Sequence, residues 1–260
     1  MMAFRTITGL LGDSQGRVSL PVLQGPARGL WFRLDLPTRM ESAYFFGTYE
    51  LEITRWLTKV CHKGWTIWDC GTYLGFYTCL FARLVGEKGQ VVVFEPDPRN
   101  MERTKEHARL NKFNNVQFMQ CAVGGPSGEI DFILSNNTNS HIPGAYVGAT
   151  REDYSKIERV DGLIRVPCLS LDEVYSDKKI PPPDLIKIDI DGAEKEALQY
   201  TGRLFREVRP LLMLELHNPE CDRAAWEFAQ KWNYSLKSLD NGRTLTKAED
   251  VCGTLLCLPD

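Results

Sequence analysis

TIWDCGTYLGFYTCLFARLVGEKGQVVVFEPDP, residues 66–98, is the stretch on which the fold turns. Two short apolar runs, TIWDC and VVVF, frame residues 74–85, whose apolar positions recur with helical period. A strand, a helix and a second strand in that order form a crossover unit whose strands pair in parallel. Both runs are continuously apolar rather than alternating, as expected where helices cover both faces of a sheet.

Outward from this unit the rhythm repeats. VQFMQCAVG (116–124), DLIKIDIDG (184–192), LLMLELH (211–217), YSLKSL (234–239) and GTLLCL (253–258) are further strand-like runs, with helical period over 99–113, from about 193, and over 221–232. Together they predict an α/β fold with a doubly wound, mostly parallel seven-stranded sheet. A polar, glycine-containing segment too short for a crossover helix joins the last two runs, which predicts an antiparallel hairpin at the sheet edge.

Upstream, residues 17–36 hold two β-like runs around Gln24, Gly25 and Pro26. Residues 48–61 carry apolar groups at Leu51, Ile53, Trp56, Leu57 and Val60. These predict an N-terminal hairpin and helix within residues 1–62, leaning on a main domain at 63–260. Residues 135–163 have little periodicity and lie between EIDFIL and LIRVPCL. Long irregular connections in compact domains tend to be functional, so this insert is predicted to be a substrate-facing flap carrying His141.

A chain of 260 residues suits one domain with a sizeable core. Its 31 basic and 34 acidic side chains give a net charge of -3, no electrostatic footprint for nucleic acid or an anionic membrane. MMAFRTITGLLGDSQG at the start has no apolar run of signal-peptide length, and nowhere do about 18 consecutive apolar residues occur. A cytoplasmic location is therefore predicted. The eight cysteines form no Cys-x-x-Cys pair, and Cys70, Cys79, Cys121, Cys168 and Cys257 sit in apolar segments. They are expected to be buried thiols, without a metal or disulfide role.

In an open sheet of this kind a ligand binds outside the carboxyl ends of the strands, near the point where strand order reverses. The last residues of each strand are thus the candidates. The first strand runs into Asp69, Cys70, Gly71, Thr72, Tyr73, Leu74 and Gly75, with glycines four apart at a tight turn into a helix. The second delivers Glu95, 20 positions after Gly75, where a carboxylate can accept both hydroxyls of a ribose; Pro96, Asp97 and Pro98 then fix the loop and start a helix. A nicotinamide dinucleotide site would need a glycine beneath the pyrophosphate, at the position Tyr73 occupies. Cys121 and Ala122 end the third strand with small residues against which a flat ring can lie.

The densest feature is Lys187-Ile188-Asp189-Ile190-Asp191-Gly192-Ala193-Glu194. If the segment is extended, alternation turns Lys187, Asp189 and Asp191 to one side. Paired carboxylates repel unless a cation lies nearby, and Lys187, a metal or a cationic ligand could supply it. Glu194 falls in the first turn of the next helix, where the helix dipole favours a negative charge. LLMLELH adds Glu215 and His217, again in phase.

With these residues in place, the chain resembles the FkbM family of methyltransferases. The resemblance spans about residues 44–216 and rests on GTYE (47–50), WDCGTYLGFYT (68–78), FEPDP (94–98), CAVGGPSGEIDF (121–132), LDE (171–173) and DLIKIDIDGAEKEAL (184–198) followed by RPLLMLELH. The last string is the most specific. The resemblance implies a class I, Rossmann-like methyltransferase fold and S-adenosyl-L-methionine as cofactor. It implies an amino acid site at Asp69, Gly71, Thr72, Tyr73 and Gly75, a ribose contact at Glu95 with Pro96, an adenine edge at Cys121 and Ala122, and Asp189 beside the methyl group. Glu50 is implied as a further cofactor contact. Thr72 and Tyr73 replace the family's usual Ala-Asn, and Asp191 stands where Glu is common.

Transfer to a hydroxyl of a sugar, glycan or secondary metabolite is the activity so implied. Asp189, Asp191, Glu215 and His217 are its candidate catalytic residues; His217, His141, Asp191 and Asp189 are candidates for the base, with Asp191 and His217 ranked first. No dedicated oxygen-ligand loop is apparent, so a metal-free site is expected. Two rival readings are an NAD-dependent oxidoreductase, which Tyr73 disfavours, and a non-catalytic binding module on the same fold, against which the retained acids argue.

Overall fold

The computed structural model describes residues 12–36, 38–134 and 162–260. Nearly all of the expected flap, 135–161 with His141, lies outside them.

Strands β1 (Val18–Pro21) and β2 (Trp31–Leu34) pair antiparallel, Val18 opposite Leu34. Helix α1 (Arg39–Phe46) follows, capped by the Thr38 hydroxyl, which accepts from the Glu41 amide, and closed by Gly47 in the left-handed region. Helix α2 (Leu51–Val60) turns Ile53 and Leu57 inward. Phe32, Leu34 and Leu57 are buried in the same core as Ile67, Leu80 and Val91 of the main sheet layer. Polar ties add to this apolar seam: the Arg103 guanidinium donates to the Arg33 carbonyl at 2.7 Å and to Glu41 at 2.9 Å.

The main layer comprises β3 (Thr66–Cys70), α3 (Phe76–Val85), β4 (Gln90–Phe94), α4 (Pro98–Leu110) and β5 (Val116–Met119). A small separate sheet follows from β6 (Ala122–Val123), β7 (Gly128–Leu134) and β8 (Gly162–Leu169), in the order β6-β8-β7. The chain then returns through α5 (Leu171–Ser176), β9 (Leu185–Ile188), α6 (Glu194–Gln199), α7 (Arg203–Glu207), β10 (Leu211–Leu216), α8 (Pro219–Trp232), β11 (Tyr234–Ser238), β12 (Thr244–Leu245) and β13 (Gly253–Pro259). The large sheet has the order β12-β11-β13-β10-β9-β3-β4-β5. Its strands alternate in burial between two cores: Trp68, Phe94, Ile186 and Leu214 face one layer, Ile67, Val93, Leu185 and Met213 the other.

The α/β doubly wound expectation stands, with three corrections. First, the described sheet has eight strands and is mixed: β5, β4, β3, β9 and β10 are parallel, β13 runs antiparallel between β10 and β11, and β12 pairs antiparallel outside β11. Second, the closing hairpin therefore does not simply extend the edge; its second strand inserts inside. Leu255, Leu256 and Cys257 are buried in succession, as helix layers on both faces require, whereas β11 alternates buried and half-buried residues. Third, VQFMQCAVG is two strands, because the Cys121 amide folds back onto the Met119 carbonyl and sends β6 into the small sheet.

From β3 the chain moves outward to β4 and β5, and later from β9 to β10 in the opposite direction. The switch point thus lies between β3 and β9, and the crevice at their carboxyl ends is where the fold favours a ligand.

Candidate functional site

Gly71 stands at the mouth of that crevice. Its φ is +78°, and a Cβ there would lie 1.8 Å from the Asp189 carbonyl oxygen, so the loops leaving β3 and β9 touch through a residue that must be glycine. Gly75, at φ +77°, has a different reason: a Cβ would meet the Thr104 side chain of α4 at 2.8 Å. Both glycines are thereby explained by packing between elements.

Lys187 ties the two loops together. Its buried ammonium donates to the Gly71 carbonyl at 2.9 Å, pairs with Asp189 Oδ2 at 3.0 Å and stands 3.7 Å from Asp69 Oδ1. Burial works to discharge it, but the Asp189 and Asp69 charges outweigh burial and hold its pKa well above the lysine range. Asp69 is fully buried; its Oδ2 accepts from the Thr78 hydroxyl at 2.5 Å, which in turn meets the Thr72 hydroxyl at 2.5 Å. Among the described residues, no hydrogen bond reaches Asp69 Oδ1.

Glu95, just past β4, is held by two backbone amides, Tyr73 N–H on Oε2 and Asp97 N–H on Oε1, each at 2.9 Å. Burial pushes its carboxyl up to about 8; the amides pull the other way, and Asp97 and Asp191 add to the rise. Tyr73 adopts φ +51° to bring its amide there. Pro96 links Glu95 to Asp97, which caps α4 by accepting from the Arg99 amide at 2.8 Å. Cys121 and Ala122 are buried on opposite sides, Cys121 in the main core and Ala122 with Phe132, Val166 and Cys168 under the small sheet. Their side chains are packing groups.

A second cluster lies beyond Lys187. Strand β9 stops at Ile188, and Asp191 and Gly192 turn through φ +52° and +102°. The expected alternation of Asp189 and Asp191 along an extended segment is therefore corrected: a left-handed turn, not pleating, brings both to one place. His217 Nε2 lies 3.7 Å from Asp189 Oδ1, 3.8 Å from Asp191 Oδ1 and 3.9 Å from Glu215 Oε1, while its Nδ1 lies 3.0 Å from Glu194 Oε1. Burial opposes a charge on His217, but the Glu194 hydrogen bond and the carboxylates around it raise its pKa to about 9. Burial, Asp189 and Glu50 together raise Glu215 to about 8, against the pull of Lys187 and His217.

Glu50, in the left-handed region at the start of α2, gives no side-chain cap to its helix; it accepts instead from the Tyr77 hydroxyl, and the Tyr77 ring lies 5.4 Å from the Lys187 ammonium. The crevice thus sets Asp69, Asp189 and Glu215 around one buried lysine, with Glu50 beside Glu215 and with Asp191 acting on both His217 and Glu95. Asp189, Glu215 and His217 also bring one donor atom each to within 4.8 Å of one another, a spacing open to a cation.

The family model of the methyltransferase FkbM domain matches residues 69–241. The chain belongs to the FkbM methyltransferase family. It is 23% identical over 172 residues to the hexuronic acid methyltransferase AglP of Haloferax volcanii, a match covering 65% of this chain and 62% of that protein. It is 29% identical over 116 residues to the 2-O-methyltransferase NoeI of Sinorhizobium fredii, covering 43% of this chain and 47% of that protein. The chain so spans less than two thirds of either relative. A crystal structure of methyltransferase FkbM from Methylobacillus flagellatus aligns over 98% of this chain and 58% of that chain, at 14% identity and a TM-score of 0.45.

The FkbM match contains Asp69, Glu95, Asp189, Asp191, Glu215 and His217 and leaves Glu50 outside. It also contains Glu194, whose contacts with His217 sequence reasoning missed: a glutamate in the first turn of a helix already has an explanation in the helix dipole. The available signal was its spacing, three residues after Asp191 across a Gly-Ala turn, which lets a side chain fold back over the turn.

Proposed function

We propose that the chain is an S-adenosyl-L-methionine-dependent O-methyltransferase acting on a hydroxyl of a sugar or glycan, a small secondary metabolite being the wider class. The observation that carries this reading is Asp69 Oδ1, a buried carboxylate oxygen that accepts no hydrogen bond from the described residues and has only the Lys187 ammonium at 3.7 Å as a charged neighbour among the ion pairs described, beside the glycine turn at the switch point. It suits the cofactor's ammonium group, as the surrounding acids suit a cation. Asp69, Gly71, Thr72, Tyr73 and Gly75 would hold the amino acid end, Glu95 and Pro96 the ribose, and the backbone at Cys121 and Ala122 the adenine edge, with Asp189 and Glu50 facing the sulfonium. When bound, the cofactor supplies an electrophilic methyl group.

The protein's own part is to orient the acceptor hydroxyl and take its proton. His217 Nε2 or the Asp191 carboxylate receives it, and Glu215 and Asp189 help to place the hydroxyl. Sugar specificity draws on AglP and NoeI, whose names specify a hexuronic acid and a 2-O position. The net charge of -3 speaks against nucleic acid, and among the described residues no helix is long and apolar enough to cross a membrane. An alternative NAD site is disfavoured by Tyr73, whose side chain stands in the turn where a pyrophosphate needs glycine.

The test is to incubate purified protein with methyl-labelled cofactor and a panel of uronic acid and neutral glycans, following S-adenosylhomocysteine and a mass gain of one CH2. Acceptor-dependent production of both is expected; consumption of NAD or no transfer to any hydroxyl contradicts the reading. Transfer is expected to persist in EDTA, because Lys187 already neutralises Asp189. Loss in EDTA with recovery in Mg2+ would require a metal at the cluster instead.

A further inference from the structure

Glu194 opens α6, yet its carboxylate does not serve that helix. It is completely buried, and one oxygen, Oε1, takes three contacts from elsewhere: the Ile190 amide at 3.1 Å, the Gly192 amide at 3.1 Å and His217 Nδ1 at 3.0 Å. The two amides belong to the turn that carries Asp189 and Asp191. The imidazole belongs to the end of β10, beyond Glu215. A single oxygen therefore fixes the relative position of both arms of the acidic cluster.

We propose that Glu194 is a positioning residue for methyl transfer: it holds His217 in the tautomer protonated on Nδ1, so that Nε2, facing Asp189, Asp191 and Glu215, is the atom that takes the acceptor's proton. This rests on the reading of the crevice as a methyl-transfer site with His217 as its base. The chemistry is that of an acceptor-only group. An ionised carboxylate cannot donate, so the imidazole nitrogen beside it must carry hydrogen, and in the neutral ring the lone pair falls on Nε2. A carboxylate behind a histidine sets the tautomer and raises the basicity of the far nitrogen. Burial would neutralise Glu194, but the His217 hydrogen bond and charge, Cys221 and the Gly192 amide keep its pKa below the usual glutamate value, so it remains ionised.

The charged and titratable groups around the imidazole come from every element packed on it. Glu194 comes from α6; Asp189 and Asp191 from the turn after β9, with Lys187 behind Asp189; Glu215 from β10; Glu50, facing Glu215, from the start of α2; and Cys221 from α8, where its thiol donates to the Gly192 carbonyl at 3.5 Å. Only Glu194 meets Nδ1 among these ion pairs; the others lie on the Nε2 side or further back. Proton transfer is balanced simply: the acceptor O–H bond breaks as Nε2–H forms, and the imidazolium so made has Glu194 as its fixed counter-charge.

The test uses full-length protein with 15N-labelled histidine, the chain having four, and assigns His217 by loss of its signal in His217→Gln. Nitrogen shifts report the tautomer and the titration midpoint. The wild type is expected to show an Nε2 that carries no hydrogen in the neutral ring and a midpoint well above an ordinary histidine. Glu194→Gln keeps the shape and an acceptor oxygen but removes the charge. Its midpoint is expected to fall by about one unit or more, the acid limb of kcat against pH, where the base loses its proton, to move down with it, and kcat on the plateau above that limb to drop about tenfold or more while the KM for the cofactor stays within about twofold. A wild-type neutral ring protonated on Nε2 overturns the proposal, and needs no variant to fold. Methyl transfer by wild type and Glu194→Gln with the same pH profile and kcat overturns the role of Glu194 alone. Absence of transfer by the wild type overturns the reading of the site itself, and with it the catalytic role given to the pair.

Discussion

Lys187 and Glu95 are the residues whose environments separate a binding crevice from ordinary strand ends. A lysine buried between Asp69 and Asp189 exists only because the acids repay its desolvation, so removing it leaves uncompensated buried charge. Lys187→Met is expected to cost about 3–5 kcal/mol of stability in urea titration, far above the loss from a surface lysine. A cost below about 0.5 kcal/mol, the usual surface range, would mean that Lys187 is not what balances Asp69 and Asp189. Glu95 makes the opposite case. Its side chain is oriented by two amides rather than by a cation, so Glu95→Ala should weaken cofactor binding by about 1.5–3 kcal/mol above pH 8, where the carboxyl is ionised, the scale of a hydrogen bond to a charged group. The residue scale is also where sequence reasoning was most uneven. Asp69, Glu95, Asp189, Glu215 and His217 were legible because each ends an apolar run, and position along a strand converts directly into position at the crevice. Glu194 was not, since its contact with His217 depends on how the turn at Asp191 and Gly192 closes, a feature with no period.

Among the elements, the parallel unit β3-α3-β4 was legible down to its ends, because continuous apolar runs and an intervening helical period admit few other arrangements. Helix α1 was not anticipated: RMESAYFF buries only Glu41 and Tyr44, too little to write an apolar stripe. The break between β5 and β6 and the insertion of β13 inside the sheet are tertiary choices, decided by a backbone bond at Cys121 and by helix cover over Leu255–Cys257, and local pattern carries neither. Helix α2 supplies a test of how the N-terminal elements relate to the sheet. Leu57 is fully buried in the core shared with Ile67 and Val91. Leu57→Ala should therefore cost about 2–5 kcal/mol and lower one common unfolding transition followed by tryptophan fluorescence and circular dichroism. Two separated transitions would make the N-terminal elements an independent unit.

For the whole molecule, the concentration of acids around the crevice sets how stability responds to pH. Glu95 and Glu215 titrate near 8 in the folded chain against 4.5 when unfolded, and His217 near 9 against 6.5. In each case the folded state binds more protons than the unfolded one, so stability falls as pH rises through that interval. His107, lowered to about 4, contributes with the opposite sign, but only below 6.5. Between pH 6.5 and 8 the three crevice groups therefore act together, and from 8 to 9 His217 continues alone: the melting temperature without cofactor is expected to fall most steeply between 6.5 and 8, and a flat or rising profile there would mean that these groups are not held protonated by the fold. The cofactor should oppose that fall by binding the folded state. Occupation of the crevice between β3 and β9 by S-adenosyl-L-methionine is measured by equilibrium dialysis with the labelled cofactor. One saturable site per chain is expected, displaced by S-adenosylhomocysteine, indifferent to NAD and weakened by Glu95→Ala; no saturable binding, or unchanged affinity in Glu95→Ala, would contradict it.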